Sequence, residues 1–293
     1  MSIVQDRWIG VLQKYYLSGY ISDGGSAFKM ALTGDEESPA EVLNRLRNIA
    51  GFEQCLYVQV SAAKTRIDRI EQIFHEIARQ IDWAAFSNRE AQRLLSEAGY
   101  STVPNAQDID VNAIALLNGS SVEDLSGNIR RTIKNKIQSD HSVCKDFRTA
   151  IAKLCGARFF PKTLTPSDTD TIIGWLCGQN VSLKALRELG IYSRIGRQNA
   201  RDMLKALSLW LGSEFNIPLI IGLDLSQLVV EKRKGLPTDE DVVYSRNNCL
   251  DAFEVLRQFI DDTDDTSYCL ICGIGTSELE TSAKRSIFGY YAL

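Results

Sequence analysis

The sequence IPLIIGLDLSQL, at residues 217–228, decides the fold. Its apolar run over 217–223 is short and nearly continuous, which predicts a strand that is buried on both faces of a sheet. Pro218 is compatible with such a strand only near its beginning. Asp224 follows the run directly, so the sequence predicts a carboxylate where this strand ends.

Three further short apolar segments predict strands, and segments with apolar residues at helical spacing lie between them. The predicted strands are 28–32, 56–60 and 268–274. The predicted helices are 6–18, 39–50, 67–81, 197–211 and 246–260. Continuous apolar strands that alternate with helices are typical of parallel sheets covered on both faces, so we expect an α/β fold.

The middle of the chain lacks strand signals. Residues 84–165 are largely helical in pattern. We therefore expect residues 1–83 and 205–293 to form the two parts of an α/β core. Residues 84–204 are predicted to be a mainly helical insertion between these two parts.

Two local patterns mark the predicted boundaries of helices in this insertion. The segment 119–127 is polar and rich in small residues, which predicts a loop or an interruption. Thr165 is followed by a proline, and this pair predicts a helix start with the threonine as its cap.

The composition argues against several classes of protein. The chain has 293 residues and a net charge of −4, so no overall basic field would draw it to nucleic acid or to anionic membranes. No apolar run approaches the roughly 18 residues that a membrane-spanning helix needs. The first twenty residues lack the apolar core of a signal peptide. We expect a cytoplasmic protein without membrane association.

The cysteines and histidines do not form a metal-binding pattern. Among the seven cysteines, Cys269 and Cys272 form a C-x-x-C within a predicted strand. A zinc site would need a second pair of ligands, and the only histidines are His75 and His141. We expect reduced, buried thiols, no metal site and no catalytic pairing of a nucleophile with a base.

The segment between the strand at 28–32 and the helix at 39–50 has the setting of a phosphate-binding loop. Such a loop needs glycines, a lysine for the phosphate charge and a hydroxyl group for magnesium. Thr33 and Ser38 stand where the two glycines would be. Pro39 replaces the lysine, and Ala40 replaces the hydroxyl residue. The predicted degenerate loop consists of Thr33, Gly34, Asp35, Ser38, Pro39 and Ala40.

These replacements favour the helix itself over a bound nucleotide. Proline has no N–H group for a phosphate, and Asp35 with the two glutamates after it adds negative charge. Ser38 is predicted to cap the helix, with Pro39 at its first position and Glu41 completing a capping box. We therefore expect no cofactor, because neither ATP nor magnesium would find its usual partners.

An ATPase of this type also needs an acidic residue at the end of a buried strand, which orients magnesium, and a neighbour that activates water. Asp224 has the position for the first role, but Leu225 cannot perform the second. Thr276 follows the strand at 268–274, where it would either sense a γ-phosphate or cap the next helix. These three residues are the second half of the predicted degenerate site.

A short basic cluster lies on a predicted helix of the insertion. It comprises Arg130, Arg131, Lys134 and Lys136, with Lys145 and Arg148 nearby. Phosphate contacts from this cluster would support DNA binding without sequence preference, whereas a solvated helix face is the alternative. No aromatic residues interleave with the cluster, which argues against stacking of single-stranded bases there.

With these features the chain resembles the BREX-type ATP-binding proteins of bacterial phage-defence operons, within the AAA+/STAND-like branch of P-loop ATPases. The similar stretches are 25–47, 189–204, 217–228 and 272–278 with 289–293. The resemblance implies a P-loop-type fold and ATP-dependent work on DNA during modification or restriction of phage genomes. Because the glycine, lysine, hydroxyl and glutamate are absent, it implies the fold and the assembly with partners, and not the ATPase activity.

We therefore expect a pseudo-ATPase that is a scaffold or regulatory subunit of an anti-phage DNA modification or restriction complex. Its partners would be protein subunits of that complex, for example an active sister ATPase. Contact with DNA would be indirect, because the family's DNA-binding region would follow Leu293.

Two alternatives stay open. One is an ATPase with an unconventional site that uses Asp224 and Thr276 with phosphate contacts from Lys29 or Arg45. The other is a sequence-independent DNA-binding subunit.

Overall fold

A computed structural model describes residues 5–34, 38–102, 109–230 and 241–282. The chain divides into two compact units. One comprises the described residues within 1–77 and 196–293, and the other those within 78–195. The first unit contains a sheet, and in the part of the second unit that the structure describes all regular elements are helical.

The sheet has four parallel strands in the order β1-β4-β3-β2. The strands are β1 (Ser26–Thr33), β2 (Leu56–Ser61), β3 (Leu219–Asp224) and β4 (Cys269–Thr276). All four lie at the predicted segments, with ends that differ by at most two residues from the predicted ones. The prediction of an α/β fold with a parallel sheet flanked by helices is confirmed.

The described residues form twelve α-helices, with short π- and 3₁₀-helical segments between some of them. The α-helices are α1 (Gln5–Leu12), α2 (Pro39–Phe52), α3 (Ile70–Arg79), α4 (Trp83–Glu97), α5 (Val111–Leu117), α6 (Val122–Ile133), α7 (Lys145–Phe159), α8 (Pro166–Leu176), α9 (Leu183–Glu188), α10 (Ala200–Phe215), α11 (Arg246–Asp261) and α12 (Glu278–Thr281). Helix α1 continues as a π-helix over Gln13–Ile21, and α6 continues as one over Lys134–Gln138.

The central strands are buried because apolar side chains cover both of their faces. Every residue of β3 except Asp224, and every residue of β4 except Thr276, is buried. Gly222 in β3 has a packing role, since a Cβ atom there would lie 2.5 Å from the hydroxyl of Tyr57 and 2.9 Å from Leu43. A larger residue would therefore force β2 or α2 away from the sheet.

One face of the sheet packs on α1, its π-helical continuation and α2. Ile220 of β3 and Leu270 of β4 form a buried cluster with Leu12, Leu43 and Leu46. Full burial of one such side chain contributes about 1.5–3 kcal/mol. The predicted helices at 6–18 and 39–50 therefore form where their apolar faces can cover the sheet.

The helical unit begins and ends earlier than predicted. The predicted insertion ran from 84 to 204, whereas the division between the units falls before Ala78 and after Ile195. Helix α10 belongs to the unit with the sheet because it packs against β3. The tight contact of Gly212 with Tyr268, where a Cβ atom would come within 2.0 Å of the ring, lies in the same unit.

The prediction of a loop at 119–127 is wrong beyond Ser121. Ser121 is the N-cap of α6, and its hydroxyl accepts a hydrogen bond of 3.0 Å from the N–H of Asp124. Leu125 and Ile129 then turn into the core of the unit. The predicted helix start at Thr165 is confirmed, because Thr165 and Asp168 form a reciprocal capping box.

Candidate functional site

The carboxyl ends of the four parallel strands meet along one side of the sheet, which we call the carboxyl edge. Its residues, in the order of the strands, are Thr33, Thr276, Asp224 and Ser61. Thr33 is paired in register with Thr276, and Asp224 is paired with Ser61. The structure thus brings three residues of the predicted degenerate site, from β1, β3 and β4, to one place.

Both carboxylate oxygens of Asp224 already accept hydrogen bonds within the fold. Oδ2 accepts one of 3.3 Å from the hydroxyl of Ser61, and Oδ1 accepts one of 3.1 Å from the N–H of Ser226. Ser61 was not identified from the sequence. Ser61 reaches Asp224 because β2 lies next to β3. The sequence at the end of a strand does not show which strand will be its neighbour in the sheet.

Leu225 is the residue that the sequence analysis placed at the position of a water-activating glutamate. Its side chain has 0% exposure. Its Cδ1 atom lies 3.1 Å from the position that a Cβ atom on Gly273 would take, so it packs directly on β4. Its N–H donates a 2.8 Å hydrogen bond to the carbonyl of Ile274. The position is therefore part of the apolar core.

The two threonines of the carboxyl edge differ in their hydrogen bonding. The hydroxyl of Thr33 donates to the carbonyl of Gly275 at 3.3 Å. The hydroxyl of Thr276 is buried and has no hydrogen-bond partner within the described ranges. The prediction that Thr276 caps the next helix is wrong, because Thr276 ends β4 and Ser277 is the N-cap residue of α12.

Helix α2 starts as predicted, but its predicted capping box is absent. Ser38 is the N-cap residue and Pro39 is in the first turn, yet the hydroxyl of Ser38 makes no capping hydrogen bond. The backbone carbonyl of Ser38 instead accepts from the N–H of Glu41 at 3.0 Å. Gly34, Ser38 and Ala40 are exposed. Asp35 and the two glutamates lie outside the described residues.

Lys29, which the alternative with an unconventional ATP site used, lies away from the carboxyl edge. It is in the middle of β1, and its Nζ atom lies 4.4 Å from the centre of the Tyr16 ring. This cation–π contact gives the ammonium group a partner inside the fold.

The C-x-x-C cysteines are buried on β4. Burial raises the pKa of Cys269 to about 12, and it also raises the pKa of Cys272. All seven cysteines are free thiols. Residues three apart on a strand face opposite sides of the sheet, so the pair cannot chelate one ion. In the described ranges, no group of three or more acidic, histidine or cysteine side chains could hold a metal ion.

The predicted basic cluster is exposed, but two of its four members have partners in the fold. Arg130 and Arg131 lie on α6, and Lys134 and Lys136 lie on its π-helical continuation. The guanidinium of Arg130 lies 4.5 Å from the centre of the Phe160 ring. The ammonium of Lys136 lies 3.4 Å from a carboxylate oxygen of Glu97.

A second basic feature in the helical unit was identified from the sequence only in part, through Lys145 and Arg148. It is an open cleft of about 490 Å³, which we call the basic cleft. Its charged and aromatic lining residues are Lys145, Arg148, Lys153, Arg187, Glu188 and Tyr192. The cations come from two helices, α7 and α9, which are separated by more than twenty residues in the chain. No sequence window contains them together.

Comparison of the chain with protein-family models, with curated proteins and with solved structures gives no match. The geometry of the carboxyl edge and of the basic cleft is therefore what bears on function. In the part of the chain that the structure describes, no helix is both long enough and apolar enough to cross a membrane.

Proposed function

We propose that this chain is a pseudo-ATPase, with a P-loop-type core that binds partner proteins and performs no nucleotide chemistry. The burial of Leu225 is the observation that carries this proposal. The strand order supports it as well, because β1, β4 and β3 are neighbours and their carboxyl ends could together surround a triphosphate in an intact enzyme.

The start of α2 provides few of the groups that bind the phosphates of a nucleotide. A phosphate loop binds through backbone N–H groups, through a lysine and through a magnesium-bound hydroxyl. Here Pro39 removes one N–H group and stands in place of the lysine, and Ala40 has no hydroxyl. The exposed helix N-terminus keeps its dipole, which alone contributes only about 0.3–1 kcal/mol to binding an anion.

The end of β3 provides one carboxylate that could bind magnesium, but it provides no base that could activate water. Asp224 is bonded to Ser61 and to the backbone at Ser226, so a magnesium ion would have to replace contacts that the fold already makes. Leu225 fills the neighbouring position with an apolar side chain in contact with β4. Hydrolysis needs both groups, and here the position of the second is occupied by a leucine.

A core that keeps its sheet while its site has lost its chemistry is suited to binding other proteins. We infer that the partners are protein subunits of a cytoplasmic bacterial anti-phage DNA modification or restriction complex, for example an active sister ATPase. This part of the proposal follows from the resemblance to BREX-type ATP-binding proteins. Contact with DNA in this role would be indirect.

Calorimetric titration with Mg-ATP tests the proposal. We expect no saturable heat up to about 1 mM ATP, which corresponds to a binding free energy weaker than about −4 kcal/mol. The matched variant Pro39→Lys/Ala40→Thr restores two side chains of a phosphate loop and shows whether the scaffold can still accept a nucleotide. Saturable micromolar binding by the native chain would contradict the proposal. So would ATP turnover that Asp224→Asn abolishes.

A further inference from the structure

We propose that the basic cleft binds single-stranded nucleic acid, with its cations on the phosphates and Tyr192 stacked on a base. All residues of the basic cleft belong to the unit of residues 78–195. The proposal is therefore independent of the proposed function, which concerns the unit with the sheet.

The charge of the basic cleft is unbalanced. Four cationic side chains line it against one carboxylate, that of Glu188. In the part of the chain that the structure describes, none of the four cations forms an ion pair with a carboxylate. The chain as a whole has a net charge of −4, whereas the basic cleft is locally positive. A concave surface with this charge attracts a polyanion.

One of the cations is held in a fixed position. The Nη1 atom of Arg148 donates a 2.8 Å hydrogen bond to the carbonyl of Asp140 and lies 2.9 Å from Nδ1 of His141. These contacts are with a carbonyl oxygen and a ring nitrogen and not with a carboxylate, so they orient the guanidinium without pairing its charge. A guanidinium with N–H groups left over is suited to a phosphate oxygen, because it presents several donors in one plane.

Tyr192 gives the basic cleft an aromatic surface. Its side chain is 60% exposed, and the Nζ atom of Lys145 lies 5.5 Å from the centre of its ring. A cation for a phosphate and a ring for a base are therefore adjacent. This is the arrangement by which proteins bind single strands without sequence preference.

The backbone on both sides of Tyr192 is held in place. Ile191 is fully buried, and its N–H donates a 2.9 Å hydrogen bond to the carbonyl of Leu186 at the end of α9. Ser193 donates through its hydroxyl to a carboxylate oxygen of Asp146, and its carbonyl accepts from the indole N–H of Trp175 at 3.0 Å. The exposed ring thus projects from an ordered base, which lowers the entropy lost when a ligand stacks on it.

The openness of the basic cleft favours a polymer strand over a free nucleotide. Small ligands are usually held in enclosed pockets that bury most of their surface, whereas a strand only has to pass through an open groove. A duplex keeps the faces of its bases stacked on one another, so it would leave Tyr192 unused. The ring and the cations contact groups that DNA and RNA share, so binding of either type of strand fits the proposal.

Fluorescence anisotropy of the full chain with labelled oligo(dT) and oligo(U) of about 12 nucleotides tests the proposal. Four phosphate contacts should make the logarithm of the association constant fall with the logarithm of the salt concentration, with a slope of about −2.8. Lys153→Gln/Arg187→Gln should reduce this slope by about 1.4, because it removes two contacts. Tyr192→Ala should weaken binding roughly 5- to 150-fold and should change the slope little.

Arg69→Gln/Lys162→Gln is the matched control, because it removes the same charges at exposed positions outside the basic cleft. It should bind as the native chain does. Equal binding by the Lys153/Arg187 variant and the control would overturn the proposal. So would equal affinity for a duplex of the same length, or binding that Tyr192→Ala leaves unchanged. Circular dichroism shows that each variant is folded before it is titrated.

Discussion

The carboxyl edge of the sheet and the basic cleft of the helical unit both contain the residue types of a binding site, but they differ in what those residues already contact. At the carboxyl edge, Asp224 and Thr33 are bonded to the fold, and Leu225 is buried between the strand ends. In the basic cleft, Lys153 and Arg187 have no carboxylate partner in the described ranges. A polar group that the fold has already satisfied gains little from a ligand, so the residue type alone does not identify a site.

The largest expected effect is a loss of stability at the carboxyl edge. Leu225→Glu places a carboxylate in the apolar contact with β4 and should lower the free energy of unfolding by about 3 kcal/mol or more at pH 7. Burial raises the pKa of such a carboxyl group, so the loss should shrink as the pH falls towards 4, where the group is neutral in the folded state and mostly protonated in the unfolded state. Urea unfolding at the two pH values measures both effects.

Leu225→Met is the control for this change, because it nearly conserves volume and should lose less than about 1.5 kcal/mol. If Leu225→Glu is as stable as the control, the carboxyl edge is open to water. The contrast between the two regions would then fail.

The next effect concerns the rigidity of the basic cleft. Gly190 has a φ angle of 86° and directly follows Leu189, the C-cap residue of α9, and its N–H donates to the carbonyl of Arg187 at 3.0 Å. Gly190→Ala should lower the free energy of unfolding by about 1–2 kcal/mol, since an L-residue is strained in this conformation. Because the same turn leads to Tyr192, oligonucleotide binding should weaken as well.

Gly127→Ala is the matched change within the same unit. Gly127 lies inside α6, and a Cβ atom there would meet nothing within 4 Å. Alanine should stabilise this helix by about 0.5–1 kcal/mol and leave oligonucleotide binding unchanged. Thermal unfolding together with anisotropy separates the two variants, and equal behaviour of both would show that the turn at Gly190 does not position Tyr192.

The smallest effect distinguishes the two threonines of the carboxyl edge. Thr33→Val removes the hydrogen bond to the carbonyl of Gly275 and should lower the free energy of unfolding by about 0.5–1.5 kcal/mol. Thr276→Val removes a buried hydroxyl that has no partner among the described residues and should be neutral or slightly stabilising. Chemical denaturation of both variants measures the difference. A larger loss for Thr276→Val would mean that its hydroxyl has a partner after all, and that the two threonines do not differ as we infer.

The strands and the long helices were predictable because their signal is local. The apolar run before Asp224, and the helical spacing in segments such as 39–50, depend only on neighbouring residues and on the need to bury one face. The same local reasoning failed at 119–127, where a polar composition concealed a capped helix. It also failed at Thr276, because a shift of one residue in the end of β4 decides whether Thr276 is the last residue of the strand or the cap of the next helix.

The sites were predictable only in part. Asp224, Leu225 and Thr33 were found because each follows or ends a recognisable strand. Ser61 was missed because its role comes from β2 lying beside β3, which is a pairing of distant segments. Tyr192 was missed for the same reason. The sequence near Arg130 contains no interleaved aromatic residue. The aromatic ring of the basic cleft, which lies against Lys145, comes from a turn after α9.

By itself the sequence determined the alternation of buried strands and amphipathic helices, and the absence of the lysine, the hydroxyl and the glutamate of an ATPase site. These properties follow from residue type and periodicity, which act over a few residues. Only the tertiary structure decided the strand order, the burial of Leu225 against β4, and the meeting of cations from α7 and α9 with Tyr192. These depend on contacts between residues far apart in the chain, and such contacts exist only once the helices and strands have packed.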